Sequence, residues 1–242
     1  MPAPLMRPLP DLSPEDRADL RYHAGFGCVR CGVTIYQYLS LPQLSDTRKE
    51  PSATATMLCP VCHQLVEDGR LTPAQAHAFH ASPIARQRHF ARDRLPFSNE
   101  LPEIVAGGSR AIKDTPVPIA VGGEPLLIFA PPRQGVGATR ISVCLGDAAG
   151  EPVHVVDGNE WLANDGGWTF AHRGDRYAFN ALRGESMLVL RIVQRNRMAI
   201  EHLRTTIRGT RVEVTPDWMQ IGNQRFIDRI ASGVFIGFDI QT

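Results

Sequence analysis

Residues 28–41 read CVRCGVTIYQYLSL, and residues 54–65 read TATMLCPVCHQL. Cys28 and Cys31 have two residues between them, 27 residues intervene, and Cys59 and Cys62 repeat the first spacing. Two residues between ligands let one tight turn aim both thiolates at a single ion, and two such turns complete a tetrahedral shell of four sulfurs. That shell leaves no position for water, so the spacing predicts a structural zinc ion that holds the fold rather than performing catalysis. Its binding energy becomes folding energy for a small module with a thin core.

The remaining composition narrows the function classes. The chain has 242 residues, 43% hydrophobic and 21% charged, enough for one large or two modest globular domains. A formal net charge of +1 supplies no global field toward nucleic acid, so any such contact must come from a local patch. The opening MPAPLMRPLP is broken by prolines and Arg7, and no apolar run is long enough to span a bilayer; the expectation is a cytoplasmic protein without a membrane partner. Paired cysteines without a secretory signal favour zinc over disulfides. The fifth cysteine, Cys144 in TRISVCLGD, alternates with Ile141, Val143 and Leu145 and is expected to be a small buried strand residue.

Along the chain, LSPEDRADLRYH opens a helix with Ser13 as N-cap and Pro14 at the first helical position, ending near His23. VTIYQYLSL is a strand by its β-branched and aromatic content, PQLSDTRKEPSAT an exposed loop, and TATML a second strand. Thr72 and Pro73 start another helix, and PIARQRHFARDR is helical up to Pro96. Beyond about position 96, short apolar stretches alternate with Gly, Asp and Asn turns. These features predict an α+β chain: a zinc-stapled module with flanking helices over 1–95, then an all-β domain over 96–242. The β domain is a sandwich, a barrel or a short right-handed β-helix, the last because apolar triplets recur between glycine turns at uneven spacing.

The knuckle CVRCG, the strand CGVTIYQY and the helix entry MLCPVCHQLVEDGRLT together resemble the zinc-containing HNH endonucleases, over about positions 12–83. The resemblance implies a ββα fold related to treble-clef zinc fingers, with a catalytic divalent ion, Mg(2+) or Mn(2+), if nuclease activity is kept. It places His63 where the last residue of the family signature falls, as the candidate catalytic residue. The first part of the signature is missing: where an acidic residue or histidine followed by a general-base histidine is expected after Tyr38, the chain has Leu39 and Ser40. Neither takes a proton from water at neutral pH, and leucine binds no metal. Loss of a general base alone removes roughly a hundredfold to ten-thousandfold in rate.

Other features are weaker pointers. His23, His77 and His80 lie near the module and could rescue a site; isolated histidines by default pack or solvate. Arg86, Arg88, Arg92 and Arg94 with His89 form the densest basic stretch and offer phosphate contacts, although residues 1–95 hold 11 basic against 9 acidic side chains. VDGNEWLANDGGWTF gathers Asp157, Asn159, Glu160, Asn164 and Asp165 with Trp161 and Trp168 but matches no calcium-loop spacing, so it reads as turns over a tryptophan-filled core. The expected function is a non-catalytic binding or assembly module acting through the β domain on a protein partner or a second copy. The alternative is an active metal-dependent HNH-type DNA endonuclease with displaced catalytic residues.

Overall fold

Ser13 opens the first helix, α1 (Pro14–Ala24), in a computed structural model that describes residues 6–9, 11–41, 54–87, 100–112, 114–133, 137–163, 167–194 and 196–240. The Ser13 hydroxyl accepts the Asp16 N–H at 3.1 Å. At the other end, Gly25 sits at φ 70° while Phe26 N–H returns to the Arg21 carbonyl at 2.8 Å, a left-handed C-cap. The chain divides into two compact units, residues 1–93 and 94–242. The protein is mixed α and β, and mostly β.

In the first unit, β1 (Gln37–Ser40) pairs antiparallel with β2 (Ala55–Leu58), setting Gln37 opposite Leu58 and Ser40 opposite Ala55. The strand is shorter than VTIYQYLSL predicts: Thr34 and Ile35 are buried outside it, and its ladder with β2 begins at Gln37. β2 leads directly into α2 (Pro60–Glu67), followed by α3 (Pro73–Ala81) and the single turn α4 (Ile84–Gln87). Thr72 and Gln75 form a reciprocal capping box on α3. Past Gln87, the helix expected over PIARQRHFARDR lies outside the described residues. Met6, Leu20, Ile35, Tyr38, Leu39, Met57, Leu58 and Val66 are buried. Residues 6–9 run beside β1: Leu9 N–H donates to Tyr38 O at 3.0 Å, and Ser40 N–H to Arg7 O at 2.7 Å.

The second unit is built from short strands. They are β3 (Glu103–Ala106), β4 (Ser109–Ile112), β5 (Val117–Val121), β6 (Glu124–Pro125), β7 (Leu127–Ala130), β8 (Arg140–Gly146), β9 (Pro152–Asp157) and β10 (Glu160–Trp161). There follow β11 (Trp168–Arg173), β12 (Arg176–Ala181), β13 (Met187–Gln194), β14 (Arg197–Ile207), β15 (Thr210–Val214), β16 (Met219–Ile221), β17 (Gln224–Phe226) and β18 (Ile236–Ile240). β7 to β10 form one sheet in chain order, β11 to β17 a longer meander, and β18, β5 and β6 a third sheet. β14 pairs with three strands: antiparallel with β13, parallel with β3 over Arg197–Ile200 and antiparallel with β15 over Leu203–Ile207.

This pairing corrects the β-helix expectation. A right-handed β-helix stacks parallel strands, whereas here successive strands reverse through tight turns. The parallel pairs among the described residues are β3 with β14 and β5 with β18. The glycines explain the difference. Gly107 and Gly108, Gly122 and Gly123, Gly158 and Asn159, and Arg208 and Gly209 each occupy a two-residue loop with both φ angles positive. That is the backbone of a type I′ hairpin, whose twist matches the flanking strands. The glycine recurrences are hairpin tips rather than corners of a coil, and no closed barrel or solenoid forms among the described residues.

Trp161, Phe170, Tyr177 and Phe179 are buried together, with Phe170 and Phe179 ring centroids 5.3 Å apart and Trp161 stacked on Phe179 at 6.5 Å. Asn159 is the polar pin of the loop before them: its side chain accepts Ile141 N–H at 2.8 Å and donates to Thr139 O at 3.1 Å. Asp157 accepts from the Ser142 hydroxyl at 2.9 Å. The acidic stretch around the tryptophans is thus turn chemistry over an aromatic core where it is described; Asn164 and Asp165 lie outside the described residues.

Candidate metal centre

Two turns bring four sulfurs together. In the first, Gly32 N–H donates to Cys28 O and Cys28 N–H donates to Val33 O, both at 2.8 Å, curling the chain so that Cys28 and Cys31 face inward. A side chain at Gly27 would meet the Gly32 carbonyl at 2.6 Å, so only glycine lets the two arms of this loop approach. The second turn is the start of α2. Cys59 is its N-cap, and its sulfur accepts the Cys62 N–H at 3.4 Å while Pro60 fills the first helical position.

The Sγ atoms of Cys28, Cys31, Cys59 and Cys62 all lie within 4.8 Å of one another, with Cys31 and Cys59 at 3.7 Å. Cys28, Cys59 and Cys62 are buried, and Cys31 is partly exposed. The cluster is consistent with a zinc site, and the donor chemistry fits a structural ion: soft sulfurs, no histidine or carboxylate among them, and little room for water. Its electrostatics point the same way. Hydrogen bonds from Cys28, Cys31, Cys59 and Arg30 hold the Cys62 thiol far below the ordinary range. Cys31 and Cys59 are pushed well above it, first by their contacts with Cys28, then by Cys62 and burial. Crowded thiols cannot all ionise unless a dication joins them. Arg30, with Nη1 3.4 Å from Cys62 Sγ, sets a positive charge beside the sulfurs, as an outer partner of a four-thiolate centre should.

His63, one residue past the last cysteine, is enclosed by protein partners. Gln37 Nε2 donates to its Nδ1 at 2.6 Å, which leaves the proton on Nε2. That nitrogen faces the Met6 carbonyl and Glu67 Oε1, each at 3.3 Å. The His63 side chain is 18% exposed. Gln37 is itself buried, and its Oε1 has no hydrogen-bond partner, a desolvation penalty of about 1–3 kcal/mol. On the same strand Leu39 is fully buried, and Ser40 Oγ accepts the Arg7 N–H at 2.8 Å. No local signal around Gln37 points to His63; the packing of α2 against β1 brings the two together.

His23 and His80 have partners of their own, and His89 lies outside the described residues. The His23 and His80 rings lie tilted with centroids 4.5 Å apart, His23 Nε2 lies 2.7 Å from His80 O, and His80 Nδ1 is 3.2 Å from Thr56 Oγ1. Burial, reinforced by His23 and His77, lowers the His80 pKa to about 4. Arg86 is committed to α1: its Nη2 donates to Tyr22 O, its Nε to His23 O at 3.3 Å, and its guanidinium lies 4.3 Å from the Tyr22 ring centroid. Arg88, Arg92 and Arg94 lie outside the described residues. Cys144 is buried on β8 as expected, and burial pushes its thiol up to about 11. No helix among the described residues is long and apolar enough to cross a membrane.

Comparison of the chain with protein-family models, with curated proteins and with solved structures finds no match.

Proposed function

We propose that this chain is a zinc-stapled, catalytically degenerate relative of the HNH nuclease module joined to a β-rich interaction domain, and that it works by binding rather than by turnover. Residues 1–95 form the module, with Cys28, Cys31, Cys59 and Cys62 as the ligands of one zinc ion. Residues 96–242 form the interaction domain. The hairpin of β1 and β2 running into α2 agrees with the ββα order of that family.

One observation carries the non-catalytic reading. His63 is held by Gln37, Met6 O and Glu67, while the strand that should supply a base presents buried Leu39 and a Ser40 whose hydroxyl is already bonded to Arg7. Phosphodiester hydrolysis needs an activated water and a cation on the scissile phosphate. The groups that titrate here are His63, turned toward the protein, and Glu67, which it faces, and β1 adds neither a base nor a metal ligand to them. Binding through the second unit is supported by Ile227, Ile230, Val234 and Phe235. They are exposed within one short segment between β17 and β18, a concentration of apolar surface that favours a protein partner or a second copy.

The test is cleavage of single- and double-stranded DNA by the zinc-loaded protein with magnesium or manganese, beside His63→Ala. The expected result is no cleavage by either. Metal-dependent cleavage that His63→Ala abolishes would overturn the reading in favour of an active HNH-type endonuclease.

A further inference from the structure

Outside the four-cysteine cluster, a second set of metal-binding side chains converges in the β-rich unit. β8 and β9 run antiparallel with Val143 opposite Val156, yet the next residue, Cys144, stands opposite His154. Val155 is therefore an extra residue on β9. In an unbulged register Val155 would face Cys144, and His154 would move on to Leu145. The bulge re-aims one side chain: it delivers the His154 imidazole to the Cys144 thiol. A third group arrives from another sheet. Glu124 opens β6, and the chain just beyond is tied to β8 where Cys144 N–H donates to Leu126 O at 2.9 Å.

We propose that Glu124, Cys144 and His154 form a second metal site that takes a borderline dication such as zinc through one oxygen, one sulfur and one nitrogen donor. Their ligand atoms all lie within 4.8 Å of one another. Donors around a tetrahedral zinc stand roughly 3.5 Å apart, so the three groups would have to close in by about 1 Å on binding. The surroundings are graded in the way an ion requires. Cys144 is buried at the base, Glu124 is partly exposed, and His154 faces solvent, which gives a dication a path in. On binding, the thiol proton leaves to solvent and the sulfur binds as thiolate. Three protein donors leave one position for water or for a donor from a bound molecule, so this centre is open where the cysteine cluster is closed. Arg208 stands guard over it. Its Nη2 is 3.7 Å from Glu124 Oε2, close enough to compete with a cation but too long for a hydrogen bond.

The site is tested on the full chain with zinc and cobalt(II) ions as probes. Metal content after dialysis against buffered zinc, together with chelator competition, is compared for the wild type, His154→Ala, Glu124→Gln and Cys144→Ser. The wild type is expected to retain one zinc ion per chain more than each variant. His154→Ala should weaken this second ion by more than about 100-fold, beyond the roughly 10–100-fold cost of losing an outer partner. Because His154 is exposed, this variant is expected to keep its fold, which circular dichroism checks. Cobalt(II) in the second site should show a single-thiolate charge-transfer band that Cys144→Ser removes. Arg208→Asn, which keeps a residue suited to the positive φ of that turn, should tighten the second ion. Equal zinc content in wild type and His154→Ala, or a second ion whose affinity ignores all four substitutions, overturns the proposal.

Discussion

The two units reach stability by opposite routes. In the first, short elements with a modest core converge on four sulfurs within 4.8 Å, so the order of a whole module hangs on one point. In the second, stability is spread over hairpins, each fixed by its own turn and by the aromatic cluster of Trp161, Phe170, Tyr177 and Phe179. A point constraint is strong and brittle. A distributed one loses a little with each substitution. On the proposed reading the contrast also bears on function, because a module held by a metal would keep its shape without catalytic residues.

Substitutions sharpen the contrast, and the largest effect is expected at the cysteines. Cys62→Ser should abolish folding of residues 1–93, since zinc contributes about 10–16 kcal/mol in comparable small domains. Thermal unfolding followed by circular dichroism should show one transition lost and the β signal retained. In the second unit, Phe179→Ala should cost about 3–5 kcal/mol by emptying the aromatic core. Denaturant unfolding should register that loss with the four-cysteine zinc unchanged; release of that zinc would break the division of labour drawn here.

Smaller effects probe individual devices. His80, depressed to about 4 by burial, His23 and His77, is neutral when folded, whereas the unfolded chain protonates it near 6.5. The unfolded state then binds more protons between those values. The stabilisation is complete above pH 6.5 and is lost as pH falls toward 4. With partial exposure discounted, this amounts to about 1–2 kcal/mol. His80→Gln should flatten that slope in stability measured against pH, and an unchanged slope would assign it elsewhere. Gly209→Ala meets no atom within 4 Å, so its cost, about 1–2 kcal/mol, comes from positive φ alone. Gly209→Asn should recover part of it.

How much could be read beforehand follows the same divide. The cysteine spacing, the Ser13 and Thr72 caps and the Pro14 and Pro73 helix starts are local chemistry, and each is found where the sequence put it. Residues whose role depends on distant neighbours were not legible. Gln37 reads as an ordinary strand residue until α2 lays His63 against it. The glycine pairs mark turns in the sequence, but coil corners and hairpin tips differ only in strand direction, which pairing partners decide. Glu124, Cys144 and His154 are separated by 20 and 10 positions, and one bulged residue, Val155, sets two of them face to face. No spacing rule announces a bulge.

The most direct test of the central claim is hydrogen exchange across the whole chain before and after zinc is removed with a chelator. The account predicts that amides of β1, β2 and α2 lose protection together, while β11 to β16 keep theirs and changes in the second unit stay near β6, β8 and β9. Protection in β1, β2 and α2 that survives complete zinc removal would contradict it, because the module would then stand on its core and not on the metal.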